Sequence, residues 1–197
     1  MAPLPQGVVY AASTGTIGNL PATERWLSQL AGVFTNESAY NQALAGGDNL
    51  VYRVTNIEEN NGEGQLHYGL GLLMPGRVGD EYYMTRGHIH AWRPAAEIYI
   101  CLSGQGLMLL QDERTGECTA VDLTPSQLVY VPGYAAHRTI NTGSTPLIYW
   151  GILSSSAGHD YDYVRQNPFK KVVIYTENGP IVMDREQYLQ RLMGAAQ

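Results

Sequence analysis

The chain of 197 residues has few cysteines, few phenylalanines and few charges. Its two cysteines, Cys101 and Cys118, cannot form a disulfide framework for a chain of this length. We therefore interpret them as a core thiol and a loop thiol in a reducing compartment. Charged residues make up 15% of the chain, and the net charge is −6. Because basic runs are also missing, the chain lacks the electrostatic signature of nucleic-acid binding.

Long apolar segments are missing as well. No stretch approaches the ~18 apolar residues that a membrane-spanning helix needs. The N-terminal residues contain no cationic segment followed by a long apolar one, so we expect no signal peptide. The sequence therefore predicts a cytoplasmic protein with no membrane partner.

Tyrosine, glycine and proline are abundant instead, with 14 Tyr, 22 Gly and 10 Pro. Tyrosine suits a pleated, half-buried surface, whereas Gly and Pro mark turns between short strands. Short apolar runs with turns about every 8–12 residues are typical of an antiparallel sandwich or barrel. The predicted strands are Leu50–Val54, Gln65–Met74, Glu81–Met84, Glu97–Leu102, Leu107–Gln111, Cys118–Leu123, Leu128–Val131, His137–Asn141 and Leu147–Leu153.

The first 45 or so residues have a different pattern. Thr23 as a cap and an apolar face that includes Leu30 predict a short helix beginning at Thr23. Ser38–Leu44 predicts a second helix. With no repeat and no linker, we expect one domain over residues 1–197, comprising an arm to about residue 45, a barrel over about 46–175 and a C-terminal tail.

The middle of the chain contains residue types that bind metals. In a strand, His88 and His90 lie on one face, and Glu97 and Tyr99 share a face of the next strand. His137 begins a later strand. Three imidazoles and one carboxylate can then converge inside a barrel. Such a ligand set suits one divalent ion such as Fe²⁺, Mn²⁺, Ni²⁺, Co²⁺ or Zn²⁺.

The spacing of these residues resembles that of the cupin superfamily. The first cupin motif, HxH-x6-E-x6-G, is matched by His88, His90, Glu97 and Gly104. The second, P-x4-H-x3-N, is matched by Pro132, His137 and Asn141, with Tyr134 where many cupins have Gly. The resemblance implies an all-β cupin (double-stranded β-helix or jelly-roll) barrel with a short, partly helical N-terminal arm.

A narrower resemblance is to the cupin-type phosphoglucose isomerases, the glucose-6-phosphate isomerases of archaea and some bacteria. It covers residues from about Val51 to Met183. The stretches that carry it are Tyr52, Pro75–Gly79, Thr85–His90, Glu97–Tyr99, Val131–Thr139 and Ala157–Tyr161. It implies reversible interconversion of glucose 6-phosphate and fructose 6-phosphate by a homodimer, with Fe²⁺ or a similar ion in each subunit.

The resemblance also implies substrate contacts from Tyr52, Thr85 and Gly87, the latter two at the phosphate. Strict alternation would place Thr85 opposite His88, so we expect a bulge at Gly87. Arg86 is a further phosphate candidate because of its charge. His67 lies outside every motif, and we interpret it as structural.

The isomerase reaction moves hydrogen between C1 and C2, so it needs a base close to those carbons. Glu97 is the candidate, unless the hydrogen moves as a hydride and Glu97 is only a metal ligand. Tyr99 is expected to donate a hydrogen bond to a substrate oxygen or to Glu97. His159 and Tyr161 are expected to open the sugar ring or to hold its hydroxyls.

Two positions depart from the family pattern that we expect. Gly71 stands where a threonine is expected, and Leu153 stands where a tyrosine is expected. Both departures remove hydroxyl donors, so the exact phosphosugar stays open. Two other functions also stay open, an O₂-dependent cupin oxidase or dioxygenase and a non-catalytic cupin that binds sugar phosphates.

Overall fold

The computed structural model describes residues 7–58 and 61–195 and consists mainly of β-strands. Its strands are β1 (Tyr10–Ala11), β2 (Thr16–Ile17), β3 (Thr23–Trp26), β4 (Leu50–Ile57), β5 (Leu66–Leu73), β6 (Arg77–Val78), β7 (Glu81–Tyr82), β8 (Glu97–Ser103), β9 (Gly106–Asp112), β10 (Cys118–Leu123), β11 (Leu128–Val131), β12 (Ala135–Asn141), β13 (Leu147–Ser154), β14 (Lys171–Thr176) and β15 (Gly179–Asp184). The helices are α1 (Glu37–Ala45), α2 (Tyr161–Gln166) and α3 (Arg185–Ala195), with a 3₁₀ turn at Leu27–Leu30.

Two antiparallel sheets enclose the core. The larger has the strand order β11-β8-β13-β5-β4-β3, and the smaller has the order β10-β9-β12. One apolar cluster joins them, with Val51 and Leu73 from the larger sheet and Met108 and Ile140 from the smaller, all fully buried. Alternating side chains of both sheets therefore point into one interior. The predicted all-β fold is confirmed.

Most predicted strands lie within a residue or two of their observed bounds, and β10 and β11 match them. The segment with His88 and His90 is different, because it forms only isolated bridges. His88 pairs with His137, and Ile89 pairs with Asp160. This segment therefore joins the barrel without forming a continuous strand.

The helix predicted from Thr23 is wrong for its first half, whereas its second half, Leu27–Leu30, forms the 3₁₀ turn. Thr23–Trp26 is strand β3, which pairs with the edge of β4 from Thr23 opposite Val54. Pairing with an open sheet edge outweighs the weak helical pattern of this segment. The second predicted helix lies within α1, where the Asn36 side chain caps the helix by accepting from the Ala39 amide at 3.0 Å.

The segment expected to be a C-terminal tail is structured. Strand β14 pairs with β15, and α3 follows directly. The boundary expected at about residue 175 falls inside this hairpin. Tyr188 of α3 is fully buried in a cluster with Val172 and Ile174, so the C-terminal helix has its own small core.

Both cysteines are free and buried in strands, which corrects the expectation that one of them lies in a loop. Strand β10 buries its first residue, Cys118, against the main core. Within the described residues, no helix combines enough length and enough apolar character to span a bilayer.

Candidate metal centre and substrate cavity

Four side chains meet at one point inside the barrel. They are His88 and His90 from the bridged segment, Glu97 from the start of β8, and His137 from β12. One candidate ligand atom from each lies within 4.8 Å of all the others. The group can therefore hold a metal ion.

The Glu97 carboxylate lies at the centre of this group. Its Oε2 is 3.0 Å from His137 Nε2, 3.2 Å from His90 Nε2 and 3.9 Å from His88 Nε2. The Glu97, His90 and His137 side chains are buried, and that of His88 is nearly so. The four groups are therefore held together away from bulk water.

Backbone carbonyls orient two of the imidazoles. His90 Nδ1 lies 3.0 Å from the Ala95 carbonyl, and His137 Nδ1 lies 3.2 Å from the Ala135 carbonyl. With the protons on Nδ1, both Nε2 lone pairs point at a carboxylate. His88 Nε2 is buried, and no hydrogen-bond partner for it lies within the described residues. A divalent cation satisfies these electron-rich atoms together, so the donor set fits a metal.

The protonation states also suit a metal. Burial, reinforced by His137, holds the pKa of His88 well below its usual value. Burial alone would raise the pKa of Glu97, but its close contacts with the His137 and His90 imidazoles hold it well below its usual value. A neutral His88 and an ionised Glu97 are the states in which these side chains bind metals.

The second oxygen of Glu97 faces the neighbouring strand β13. A Cβ atom placed on Gly151 would lie 2.7 Å from Glu97 Oε1 and 3.7 Å from the Tyr99 ring. Burial and the neighbouring Glu97 raise the pKa of Tyr99 well above its usual value. Tyr99 therefore stays protonated and can donate a hydrogen bond beside Glu97.

The metal group opens into a cavity of about 440 Å³. This volume lies in the range of small-molecule sites. The expected site residues that line it are Tyr52, Thr85, Gly87, His88, Glu97, Tyr99, His137, His159 and Tyr161. Arg86 is not among the lining residues. Its guanidinium donates to the Gln29 carbonyl at 2.9 Å and lines a separate cavity of about 250 Å³.

In place of the expected strand bulge, Gly87 forms a left-handed turn in a segment that is not a continuous strand. Gly87 has a φ of +78°, and a Cβ atom there would lie 3.1 Å from the His137 carbonyl. This turn lets Thr85, Gly87 and His88 all face the cavity. The Thr85 hydroxyl accepts from the Thr139 amide at 3.0 Å, which fixes its position.

Two further aromatic rings extend the imidazole cluster. The His159 ring lies 4.4 Å from the His88 ring, and it stacks on Tyr161 at 5.8 Å with an interplanar angle of 8°. Burial lowers the pKa of His159, so its ring is mainly neutral near pH 7. A neutral imidazole can both donate and accept protons at the cavity wall.

Comparison with known proteins assigns the family. The family model described as "Glucose-6-phosphate isomerase (GPI)" matches residues 24–191, most of the chain. The chain belongs to the glucose-6-phosphate isomerase family. The sequence resemblance is thereby confirmed, and the match also includes residues 24–26 of β3, which the sequence had suggested to be helical.

Two relatives that carry this family name are similar over nearly their whole length. The glucose-6-phosphate isomerase of Thermococcus litoralis is 42% identical over 179 residues, which is 91% of this chain and 93% of that protein. The one of Pyrococcus abyssi is 40% identical over 185 residues, 93% of this chain and 97% of that protein. Among solved structures, an oxalate oxidase aligns with a TM-score of 0.48 at 15% identity, over 57% of this chain and 56% of that one.

This member of the glucose-6-phosphate isomerase family has cavity residues that the sequence did not suggest. They include Arg25, Asn56, His67, Arg138 and Tyr149. Arg25 was missed because its strand was predicted as a helix. Arg138 was missed because alternation places it opposite His137. His67 was expected to be structural, yet it lines the cavity. Strand alternation from Gly151 could have indicated Tyr149.

The arginines give one end of the cavity a positive potential. Burial raises the pKa of Tyr52. The nearby Arg86 amide and the charges of Arg25, Arg86 and Arg138 act in the opposite direction and lower this pKa. The Arg138 guanidinium donates to the Arg86 carbonyl at 2.6 Å, and its Nε has no hydrogen-bond partner within the described residues. The end of the cavity near Tyr52 therefore suits an anionic group.

Proposed function

We propose that the protein interconverts glucose 6-phosphate and fructose 6-phosphate in a metal-dependent reaction. One observation carries the proposal: the group of His88, His90, Glu97 and His137 opens into a cavity that Arg25 and Arg138 also line. A sugar phosphate has the matching layout, with a reacting carbonyl at one end and an anion at the other. The family supports the same substrate.

The four side chains of the group would hold one divalent ion, with Fe²⁺ our first expectation and Mn²⁺, Ni²⁺, Zn²⁺ or Co²⁺ as other choices. The ion supplies positive charge that stabilises negative charge developing on O1 and O2 of the sugar. The Ala95 and Ala135 carbonyls would keep the rings of His90 and His137 oriented toward it.

Glu97 is our candidate for the base that carries the proton between C1 and C2 through an enediolate. Its Oε2 contacts the imidazoles, so Oε1 is the oxygen available to the substrate. Tyr99 would donate a hydrogen bond to Glu97 or to a substrate oxygen. If the hydrogen instead moves as a hydride, Glu97 serves as a ligand alone.

The other expected residues divide between the two ends of the sugar phosphate. His159, neutral and close to His88, would transfer the proton that opens the sugar ring, and Tyr161 would hold a hydroxyl. Tyr52, Thr85 and the Gly87 amide would contact the phosphate. Arg86 would act on it only through its charge, because its side chain lines the neighbouring cavity.

A coupled assay for glucose 6-phosphate formation from fructose 6-phosphate tests the activity, with oxygen uptake followed in parallel. We expect turnover under anaerobic conditions and no oxygen uptake. Oxygen consumption with the substrate would instead identify an oxidase or dioxygenase. Binding without turnover, whichever divalent metal is added, would identify a sugar-phosphate-binding protein.

The reaction in deuterated water separates the two roles of Glu97. Proton transfer through an enediolate predicts deuterium at C2 of glucose 6-phosphate and a large loss of kcat in Glu97→Gln. Product without deuterium, together with an unchanged kcat in Glu97→Gln, would exclude the base role.

We also propose a homodimer, following the family resemblance, and a cytoplasmic location, which fits the two free cysteines. Light scattering after gel filtration tests the first of these. A mass near twice 21.6 kDa supports the dimer, and a mass near 21.6 kDa contradicts it.

A further inference from the structure

Three glycines in the larger sheet line the wall of the cavity and leave space there, because they have no side chains. Gly69 and Gly71 lie in β5, and Gly151 lies in β13. None of the three has a positive φ, so their backbone conformation does not require glycine. Glycine also weakens a strand interior, and in such a position it often marks a close approach by another group. Each of these glycines therefore calls for a packing explanation.

In each case the missing Cβ leaves room for a polar side chain of the cavity. A Cβ atom on Gly151 would lie 2.7 Å from Glu97 Oε1, and one on Gly69 would lie 2.5 Å from Asn56 Oδ1. A Cβ atom on Gly71 would lie 2.5 Å from Cζ and 2.8 Å from the hydroxyl oxygen of Tyr149. The missing side chain at Gly151 leaves room for the carboxylate of Glu97, a candidate metal ligand. In the same way, the missing side chain at Gly71 leaves room for the phenol of Tyr149.

Tyr149 is directly opposite Gly71 in the pairing of β13 with β5. Its ring therefore folds over its cross-strand partner, in space that any larger residue at position 71 would fill. Tyr149 is buried, and its ring centroid lies 5.4 Å from that of Tyr99. Its hydroxyl is thus fixed at the cavity wall. Tyr149 lies two residues before Gly151 in β13, in the direction away from the partner of Glu97, Leu153.

The surroundings of the Tyr149 hydroxyl make it a hydrogen-bond donor. Burial raises its pKa well above the usual value, although the Thr139 side chain opposes the rise, so the phenol keeps its proton. Tyr52, which lies near Arg25 and Arg138, is among the groups that influence Tyr149. Glu97 acts on Tyr149 as well, so the Tyr149 phenol lies between Glu97 and the arginines, Arg25 and Arg138, that line the same cavity.

We infer that Tyr149 is a specificity-determining residue whose hydroxyl donates a hydrogen bond to the phosphoryl group of the bound sugar phosphate. Gly71 makes this possible by leaving room for the ring. The inference rests on the proposed function for the identity of the ligand. It also gives a physical reason for Gly71. Glycine has no side chain that could donate a hydrogen bond, and the hydroxyl of Tyr149 on the opposite strand supplies this donor instead.

The variant Tyr149→Phe keeps the ring over Gly71 and removes only the hydroxyl. We expect KM for fructose 6-phosphate and the inhibition constant of inorganic phosphate each to rise about tenfold or more, as for a lost hydrogen bond to a charged group. We expect kcat to stay within about twofold. The matched control, Tyr83→Phe, removes a buried hydroxyl that does not line the cavity and should change neither constant.

Gly71→Ala is the second test, because its methyl group would displace the Tyr149 ring without removing a polar group. It should weaken phosphate inhibition as Tyr149→Phe does. Unchanged phosphate inhibition in a folded Tyr149→Phe protein would overturn the inference, even if KM rose. Calorimetric titration with fructose 6-phosphate keeps the test independent of turnover: an inactive wild type contradicts the proposed function, whereas equal binding by wild type and Tyr149→Phe contradicts the inference.

Discussion

Arg93 donates to Asp160 across 2.8 Å and so joins the segment that carries His90 to the segment that carries His159. The same guanidinium donates to the His90 carbonyl at 2.6 Å. The Arg93 carbonyl accepts from the Tyr134 amide, also at 2.6 Å, three residues before ligand candidate His137. One residue outside the cavity therefore connects three segments that form the site.

Replacing Arg93 tests this connection. Arg93→Met keeps an apolar stem and removes the charged donors, so we expect a loss of about 1–2 kcal/mol in the free energy of unfolding by urea denaturation. We expect kcat/KM to fall about tenfold because His159 loses its fixed position. Arg165→Met is the control, since its ion pair with Asp162 is well exposed. Equal effects of the two variants would contradict the positioning role.

Gly151 is expected to strengthen metal binding, although it has no side chain. In Gly151→Ala the new methyl group would lie 2.7 Å from Glu97 Oε1 and would displace the carboxylate. We expect metal affinity to fall about 10- to 100-fold, measured by competition with a chromogenic chelator. Gly194→Ala, at an open position in α3, should leave it unchanged. An unaltered affinity in Gly151→Ala would show that Glu97 tolerates the methyl group.

The pKa of Cys101 sets the reactivity of its thiol. Burial raises this pKa from 9.0 to about 11, which leaves about a hundredfold less thiolate at pH 8. We expect Cys101 to resist a disulfide-exchange reagent in the native protein at pH 8 and to react faster as the pH rises toward 11. In denaturant both cysteines should react quickly. Rapid labelling of native Cys101 at pH 8 would contradict its burial.

Tyr134 carries backbone strain next to the site. Its φ of +66° is a left-handed conformation that favours glycine, which explains why many cupins have Gly here. We expect Tyr134→Gly to be about 1 kcal/mol more stable than Tyr134→Ala, because both lose the ring and only alanine keeps the strain. At Tyr130, in strand β11, the order should reverse. Thermal unfolding of the four variants compares them directly.

The sequence was most informative where side chains alternate on regular strands. It predicted the convergence of His88, His90, Glu97 and His137 from their spacing, although His88 and His90 lie in a segment that forms only isolated bridges. It failed at Thr23, where pairing with β4 decided the structure. Propensity within a segment cannot reveal an open sheet edge elsewhere in the chain.

The residues of the cavity wall were harder to predict, because their positions depend on contacts between distant parts of the sequence. Arg138 faces the cavity beside His137, although alternation assigns these neighbours to opposite faces. From the sequence, Gly71 indicated only the loss of the hydroxyl group of an expected threonine. Its relationship to Tyr149 exists only in the register of β5 against β13, which brings together residues far apart in the chain.

The central claim is that the four-residue group holds the metal ion that isomerisation requires. The most direct measurement is a titration of chelator-treated protein with Fe²⁺ under anaerobic conditions, following conversion of fructose 6-phosphate to glucose 6-phosphate. We predict no activity before the addition, a linear rise with a break at one equivalent per chain, and no rise in His137→Ala. Full activity in the chelator-treated protein, or an equal rise in His137→Ala, would contradict the account.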